Sequence, residues 1–310
     1  VGGNRLTKKD GDLLVYHPLR RGFDEFYGFN CNGSWARPLV RGYERLEDVD
    51  PRKITGQLTE ETIRFIKANR EKPFFAFVSH WMPHIPLGTA ERFRGKSKQG
   101  PYGDTVEELD WSTGEILKTL KELDLDRNTL VIFTSDNGPW LSKKDKGGSA
   151  GPWRGGKFNH TEGGQRVPCV MRWPGTIPAG RTCSQVASTI DFLPTFAALA
   201  GGKAPDDRVI DGHDIRPLIA GKEGAVSPYD KVGFFYAHNK FKPVRRGKWK
   251  YADGWGDDRL HDLTSPQHEK RNLADDHPKL VAELKDLATS KWKDFEKNGR
   301  PIGNVKKAKK

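Results

Sequence analysis

An apolar, β-branched run, Leu130-Val131-Ile132-Phe133, stops abruptly at Thr134-Ser135-Asp136-Asn137-Gly138-Pro139. The run reads as a buried strand, and the Asp-Asn-Gly-Pro sequence after it breaks the pattern. A carboxylate and a carboxamide thus stand side by side at the C-terminal end of a core strand. Open α/β sheets bind their ligands at such ends. Asp136 and Asn137 offer hard oxygens that suit Ca²⁺ or Mg²⁺. Asp-Asn-Gly is also good turn chemistry, so turn capping is the alternative reading. Further on, Lys157 sits in Arg154-Gly155-Gly156-Lys157, ahead of Glu162-Gly163-Gly164. A lysine between glycine-rich turns suits close approach to an oxyanion, although an ordinary solvated lysine is the default for this residue type. Hard oxygens and an anion-binding lysine together point to chemistry on a sulfate or phosphate ester.

The 310 residues can fill one large domain, or a large one and a small one, around a sizeable core. Residues 1–57 read as loop-rich. The spacing of Ile63, Phe65 and Ile66 predicts an amphipathic helix over 59–69, with Thr59 as its cap. Phe74–Val78 reads as a buried strand, Asp104–Leu123 as a helix with a period near 3.6, and Thr129–Thr134 as the next strand. Strand, helix, strand in that order predicts an α/β fold with a largely parallel sheet and helices on both faces. Residues 138–164 form a long glycine-rich loop, the kind that often carries function. Val167–Arg172 returns to strand, and Ile190–Leu199 reads as a helix ended by Gly201-Gly202.

A boundary is expected in the Pro/Asp/Gly-rich stretch Lys203–Asp211, which divides the chain into 1–205 and 206–310. Beyond it come short strands at Val232–Tyr236, Pro243–Arg246, Trp249–Tyr251 and Arg259–Asp262, with Arg246-Gly247-Lys248 as a hairpin turn. An amphipathic helix follows over Leu280–Trp292. The C-terminal part therefore reads as a small antiparallel sheet with one helix.

The net charge is +12, with the basic residues dispersed. The one dense run, Lys306-Lys307-Ala308-Lys309-Lys310, reads as a solvated, disordered tail over about residues 300–310. The sequence shows no nucleic-acid-binding module, so nucleic acid is not the expected partner. A sulfated polysaccharide would suit the basic surface. No apolar run approaches the roughly 18 residues of a membrane span. Cys31, Cys169 and Cys183 make neither a disulfide framework nor a metal finger, and Cys169, inside a strand, reads as a small buried hydrophobe. Asn32-Gly33-Ser34 and Asn159-His160-Thr161 match glycosylation sequons. His84 lies between Pro83 and Pro86, which restrict the loop and orient the imidazole. A structural histidine is the alternative, and His80 competes for the same role.

An ordered set of landmarks resembles the sulfatases of the arylsulfatase type, in the alkaline-phosphatase superfamily. They are Arg21-Gly22-Phe23-Asp24 through Phe26-Tyr27-Gly28; Pro73-Phe74-Phe75; Pro83-His84-Ile85-Pro86; the strand end at Asp136-Asn137-Gly138; Trp173-Pro174-Gly175; Asp191-Phe192-Leu193-Pro194-Thr195; and Leu260-His261-Asp262-Leu263 through Asn272-Leu273-Ala274. The resemblance implies a sulfuric ester hydrolase acting on an aryl or carbohydrate sulfate, with a large α/β domain and a small four-stranded C-terminal subdomain. It implies that Asp136 and Asn137 bind a divalent cation, usually Ca²⁺, alongside two aspartates. It implies that Lys157 contacts the sulfate oxygens, and that His84 binds sulfate and helps protonate the leaving alcohol. Arg154, Trp153 and His160 either line the cleft or belong to a surface loop. His261, in place of a tyrosine, reads as structural.

The family's Cys-x-Pro-x-Arg motif, the source of a formylglycine nucleophile, and its Gly-Lys-Trp-His-x-Gly motif do not occur in this sequence. The expectation is a C-terminal portion of such an enzyme, inactive by itself, with strand edges left exposed. Alternatives are a phosphoesterase of the same superfamily and a catalytically inactive binder of sulfated glycans. A periplasmic or secreted location is what the family implies.

Overall fold

The computed structural model describes residues 16–29, 39–46, 50–236, 243–253, 258–265 and 268–299. Cys31, the Asn32-Gly33-Ser34 sequon and the basic tail lie outside them. The described chain divides into two compact units, one of residues 16–129 with Ser142–Gly148, the other of Leu130–Leu141 with 149–299.

The N-terminal unit holds an antiparallel meander of β1 (Tyr27–Phe29), β2 (Leu39–Arg41) and β3 (Glu44–Leu46), then the helices α1 (Ile54–Ala68) and α2 (Gly100–Glu122). Helix α1 starts before Thr59, because Ile54 is fully buried with Leu39, Met82 and Leu109. Burying a side chain of that size contributes about 1.5–3 kcal/mol, more than a cap at Thr59 would supply. Thr59 instead sits inside the helix, where its hydroxyl meets the Thr55 carbonyl at 2.7 Å and the Ser112 hydroxyl of α2 at 2.6 Å. Helix α2 opens on Gly100-Pro101, and proline in the first turn forfeits only an N–H that had no partner there. Asp104 is one turn inside it and accepts the backbone N–H groups of Gly95, Lys96 and Ser97.

The second unit begins with β4 (Val131–Thr134), which pairs antiparallel with β5 (Cys169–Arg172); Thr134 lies opposite Cys169. Between them is a one-turn helix, α3 (Glu162–Gln165). Helix α4 (Phe192–Leu199) follows a 3₁₀ turn and is closed by Gly201 at φ 78°. Short helices α5 (Arg216–Ile219) and α6 (Tyr229–Val232) lead to a four-stranded antiparallel sheet. Its strands are β6 (Phe234–Phe235), β7 (Val244–Arg246), β8 (Trp249–Asp253) and β9 (Asp258–Asp262), with Gly247 at φ 57° in the β7–β8 turn. Helix α7 (Pro278–Asn298) lays Val281, Leu284 and Ala288, spaced for one helical face, on Val244, Tyr251 and Leu260 of that sheet.

The mixed α/β class and the small C-terminal antiparallel sheet with one helix agree with the sequence. Strand direction differs from the largely parallel sheet expected, since every strand pair among the described residues is antiparallel. Apolar patterning tells which face a strand buries, whereas direction is set by its partner. Phe74–Val78 shows the same limit. It forms no ladder among the described residues; Phe74 packs on Phe65 of α1 at 5.8 Å, while Phe75 and Phe77 on the other face stay 57% and 72% exposed. Cys169 is likewise exposed rather than buried, and both it and Cys183 are free thiols. The stretch 203–211 carries neither helix nor strand.

Candidate functional site

Strand β4 delivers Asp136 and Asn137 just past its end. Ser135 fixes the bend by donating its hydroxyl to the Asn137 carbonyl at 3.2 Å. The chain then crosses the glycine-rich loop at very short range. Gly138 N–H donates to the Gly164 carbonyl at 3.0 Å, and Lys157 N–H donates to the Pro139 carbonyl at 2.8 Å. A Cβ on Gly138 would lie 1.9 Å from the Gly163 oxygen, and one on Gly156 would lie 2.4 Å from the Pro139 oxygen. Only glycine permits this crossing, which is why the flanking glycines matter. The fold therefore brings together the strand-end pair and the loop lysine, the two features first singled out in the sequence.

Asp136 is exposed, while Asn137 and Lys157 are half-buried. Among the described residues none of the three side chains makes a hydrogen bond or ion pair. Instead, the Lys157 ammonium lies 5.4 Å from the Trp140 ring centre and 5.5 Å from that of Phe158, and these rings meet edge to face at 5.6 Å. Phe158 takes φ 74°, a left-handed conformation that costs a bulky residue roughly 1–3 kcal/mol. Of the other loop residues, Trp153 carries the Arg166 guanidinium 4.0 Å above its ring, and Arg154 donates to the Glu269 carbonyl at 3.2 Å.

Two buried acids hold this loop from below. Glu162 is 2% exposed and accepts from the Tyr236 hydroxyl at 2.8 Å and the Lys250 ammonium at 2.9 Å, with Arg245 at 3.4 Å. Lys250 also pairs with Glu269 at 2.9 Å and donates to the His160 carbonyl at 2.8 Å. Glu269 accepts the Glu162 N–H at 2.7 Å. Burial pushes the Glu162 carboxyl up, but the attraction of Lys250, helped by Tyr236 and Arg245, outweighs it and leaves the group below its ordinary value. Sequence reasoning noticed Glu162 only as a neighbour of Lys157. It missed Tyr236, Lys250 and Glu269, since partners 74 to 107 residues away leave no local signal.

His84 belongs to the N-terminal unit, on an exposed loop between two prolines. Its Nδ1 lies 2.6 Å from the Ile85 carbonyl, so Nδ1 carries the proton and Nε2 presents a lone pair in the neutral ring. His80 is different. Its Nε2 faces the Ser112 hydroxyl at 3.3 Å, Nδ1 is buried without a partner among the described residues, and burial lowers its pKa to about 4. His80 is thus a half-buried imidazole that is neutral at neutral pH. His261 is also buried, with Nδ1 against the Arg271 carbonyl at 2.7 Å.

Hard oxygens on Asp136 and Asn137 fit Ca²⁺ in kind. They do not fit in number, because Ca²⁺ takes about six to eight oxygens. No group of three or more His, Cys, Asp or Glu among the described residues is arranged to hold a metal. No helix among them is long and apolar enough to cross a membrane.

Comparison with known proteins places these features in context. The family model described as Sulfatase matches residues 5–202, and that described as N-sulphoglucosamine sulphohydrolase, C-terminal, matches residues 153–291. Human steryl-sulfatase is 44% identical over 198 residues, covering 61% of this chain and 34% of that protein. The dog N-acetylgalactosamine-6-sulfatase is 36% identical over 271 residues, covering 79% of this chain and 51% of that protein. The chain thus spans about half, or less, of the length of these relatives. The crystal structure of Ps i-CgsB superposes with a TM-score of 0.78 at 25% identity, over 92% of this chain and 73% of that one.

Proposed function

Because the chain belongs to the sulfatase family, we propose that it serves the hydrolysis of a sulfuric ester, with Lys157 as the cation that holds the sulfate oxygens. One observation carries this reading: a half-buried lysine, without an ion-pair partner among the described residues, is tied by its backbone, through Gly138–Gly164 and Lys157–Pro139, to the strand end that carries Asp136 and Asn137. A lysine left without a carboxylate, and clamped by its own backbone, is poised for an external anion. Lysine acts here as a point charge that offsets negative charge as the S–O bond to the alcohol breaks.

Asp136 and Asn137 are read as part of the ligand set for a divalent cation, Ca²⁺. When bound, such a cation supplies positive charge to a sulfate oxygen. The family works with a divalent cation and a formylglycine nucleophile; none of the three cysteines here stands in the motif that yields one. The Pro83-His84-Ile85-Pro86 segment, which resembles the family's, supports His84 as the residue that helps protonate the leaving alcohol. The relatives' names point to steryl and carbohydrate sulfates as substrates of those proteins. A net charge of +12 supports a sulfated polysaccharide for this one.

Titration of inorganic sulfate into the protein, followed calorimetrically, tests the reading. A charge-assisted hydrogen bond contributes about 1.5–3 kcal/mol, so Lys157→Met should weaken sulfate binding by roughly tenfold or more. Equal affinity in the two proteins would remove Lys157 from the site.

A further inference from the structure

We infer that Lys250 and Glu269, on the C-terminal sheet and the turn after it, are positioning residues for the loop that presents Lys157; the inference deepens the reading of that lysine as the sulfate clamp.

The loop is held on both sides of Lys157. On one side the Arg154 guanidinium donates to the Glu269 carbonyl at 3.2 Å. On the other, the Lys250 ammonium donates to the His160 carbonyl at 2.8 Å and to the Glu162 carboxylate at 2.9 Å. Glu269 completes the frame by accepting the Glu162 N–H at 2.7 Å and pairing with Lys250 at 2.9 Å. Lys250, Glu162 and Glu269 are 1–2% exposed. Lys250 and Arg245 thus face the two buried carboxylates, and the more exposed Arg166 lies 3.9 Å from Glu162, so neither carboxylate is buried without a cation.

Such a frame is more than the core packing of the sheet needs. The apolar core of β7, β8, β9 and α7 is built from Val244, Tyr251, Leu260, Val281 and Leu284, none of which belongs to the cluster. Among the described residues, the polar and cation–π contacts of the Lys250 side chain go to the loop, to Glu269 and to Tyr236, whose ring it faces at 4.0 Å. Backbone carbonyls and N–H groups of the loop are its targets, and these fix main-chain position. A glycine-rich loop has much conformational freedom to lose. A buried charge cluster that seizes it at residues 154, 160 and 162 restricts the arc on which Lys157 can move.

The test is amide hydrogen exchange and sulfate titration on the full chain and its variants. The Lys157 and Gly163 amides report the loop, because they donate to Pro139 and Arg154. Lys250→Met should raise their exchange at least tenfold and weaken inorganic sulfate binding at least fivefold, while amides of β4 and α7 keep their rates. Lys250→Arg, which restores the cation, should recover most of both losses. Lys248→Met, which removes an exposed pair with Asp262 and a cation–π contact with Trp249 but touches no loop residue named above, should change neither. If Lys250→Met does not fold, Glu269→Gln decides by the same readouts. Loop exchange and sulfate affinity that stay within twofold of wild type in a folded Lys250→Met or Glu269→Gln variant would overturn the inference, as would uniform loosening of the whole unit with no rescue by arginine. A wild-type chain that binds no sulfate would refute the role given to Lys157, and the loop exchange rates would still decide the positioning role.

Discussion

Mild acid should destabilise the N-terminal unit through His80. Burial holds this imidazole neutral and lowers its pKa from 6.5 to about 4. Between those values the unfolded chain takes up a proton that the folded chain refuses. The contribution is therefore fully present above the unfolded value and is lost as pH falls toward the folded one. At about 1.4 kcal/mol per unit, the full gap is worth roughly 3 kcal/mol, and about 2 kcal/mol of it is spent between about pH 7 and about pH 5. Glu108 works the other way, since burial raises its carboxyl. The effect of His80 is therefore read as a difference from His80→Leu, which has similar bulk and no charge. That variant gives up the contact with Ser112, whose hydroxyl keeps Thr59 at 2.6 Å. Urea unfolding at the two pH values should show the wild type losing about 2 kcal/mol more than the variant. Profiles that run parallel within about 0.5 kcal/mol would mean that His80 titrates normally, and that the burial of its imidazole does not hold it neutral.

Gly138→Ala should force the strand end away from Gly163, because its Cβ would fall 1.9 Å from that carbonyl oxygen. Overpacking of this kind costs about 1–3 kcal/mol, seen as a lower urea midpoint together with weaker sulfate binding; a neutral substitution would show that the crossing is loose. Glu162 lies below its ordinary value of 4.5 because the pull of Lys250 outweighs burial. Its stabilising effect is present above that value and disappears as pH falls through the lowered one. Loop protection, taken relative to the intrinsic exchange rate at each pH, should therefore fall in wild type below about pH 4.5 and already be low at neutral pH in Glu162→Gln.

Much of the molecule could be read from local pattern. The β4 run, the α2 periodicity, the Arg246-Gly247-Lys248 turn and the amphipathic α7 were all legible, since each depends on neighbours a few residues away. Thr59 misled because threonine before an apolar run also fits a helix interior, where its hydroxyl meets the preceding turn. Phe74–Val78 has strand character without a strand partner, and composition cannot supply a partner. In the candidate site, Asp136, Asn137 and Lys157 were visible as chemistry. The closeness of the strand end to the loop depends on backbone crossings at Gly138 and Gly156, and the Lys250–Glu162–Glu269 cluster depends on contacts far apart in sequence.

The central claim is that Lys157 receives a tetrahedral oxyanion, and selenate diffused into crystals of this protein tests it most directly. The anomalous selenium signal locates the anion independently of any assumption about where it binds. The account predicts a selenate oxygen about 2.7–3.2 Å from the Lys157 ammonium, at the strand end that carries Asp136 and Asn137, and loss of that peak in Lys157→Met. Selenium found only at other basic residues, with the Lys157 ammonium left bare, would contradict it.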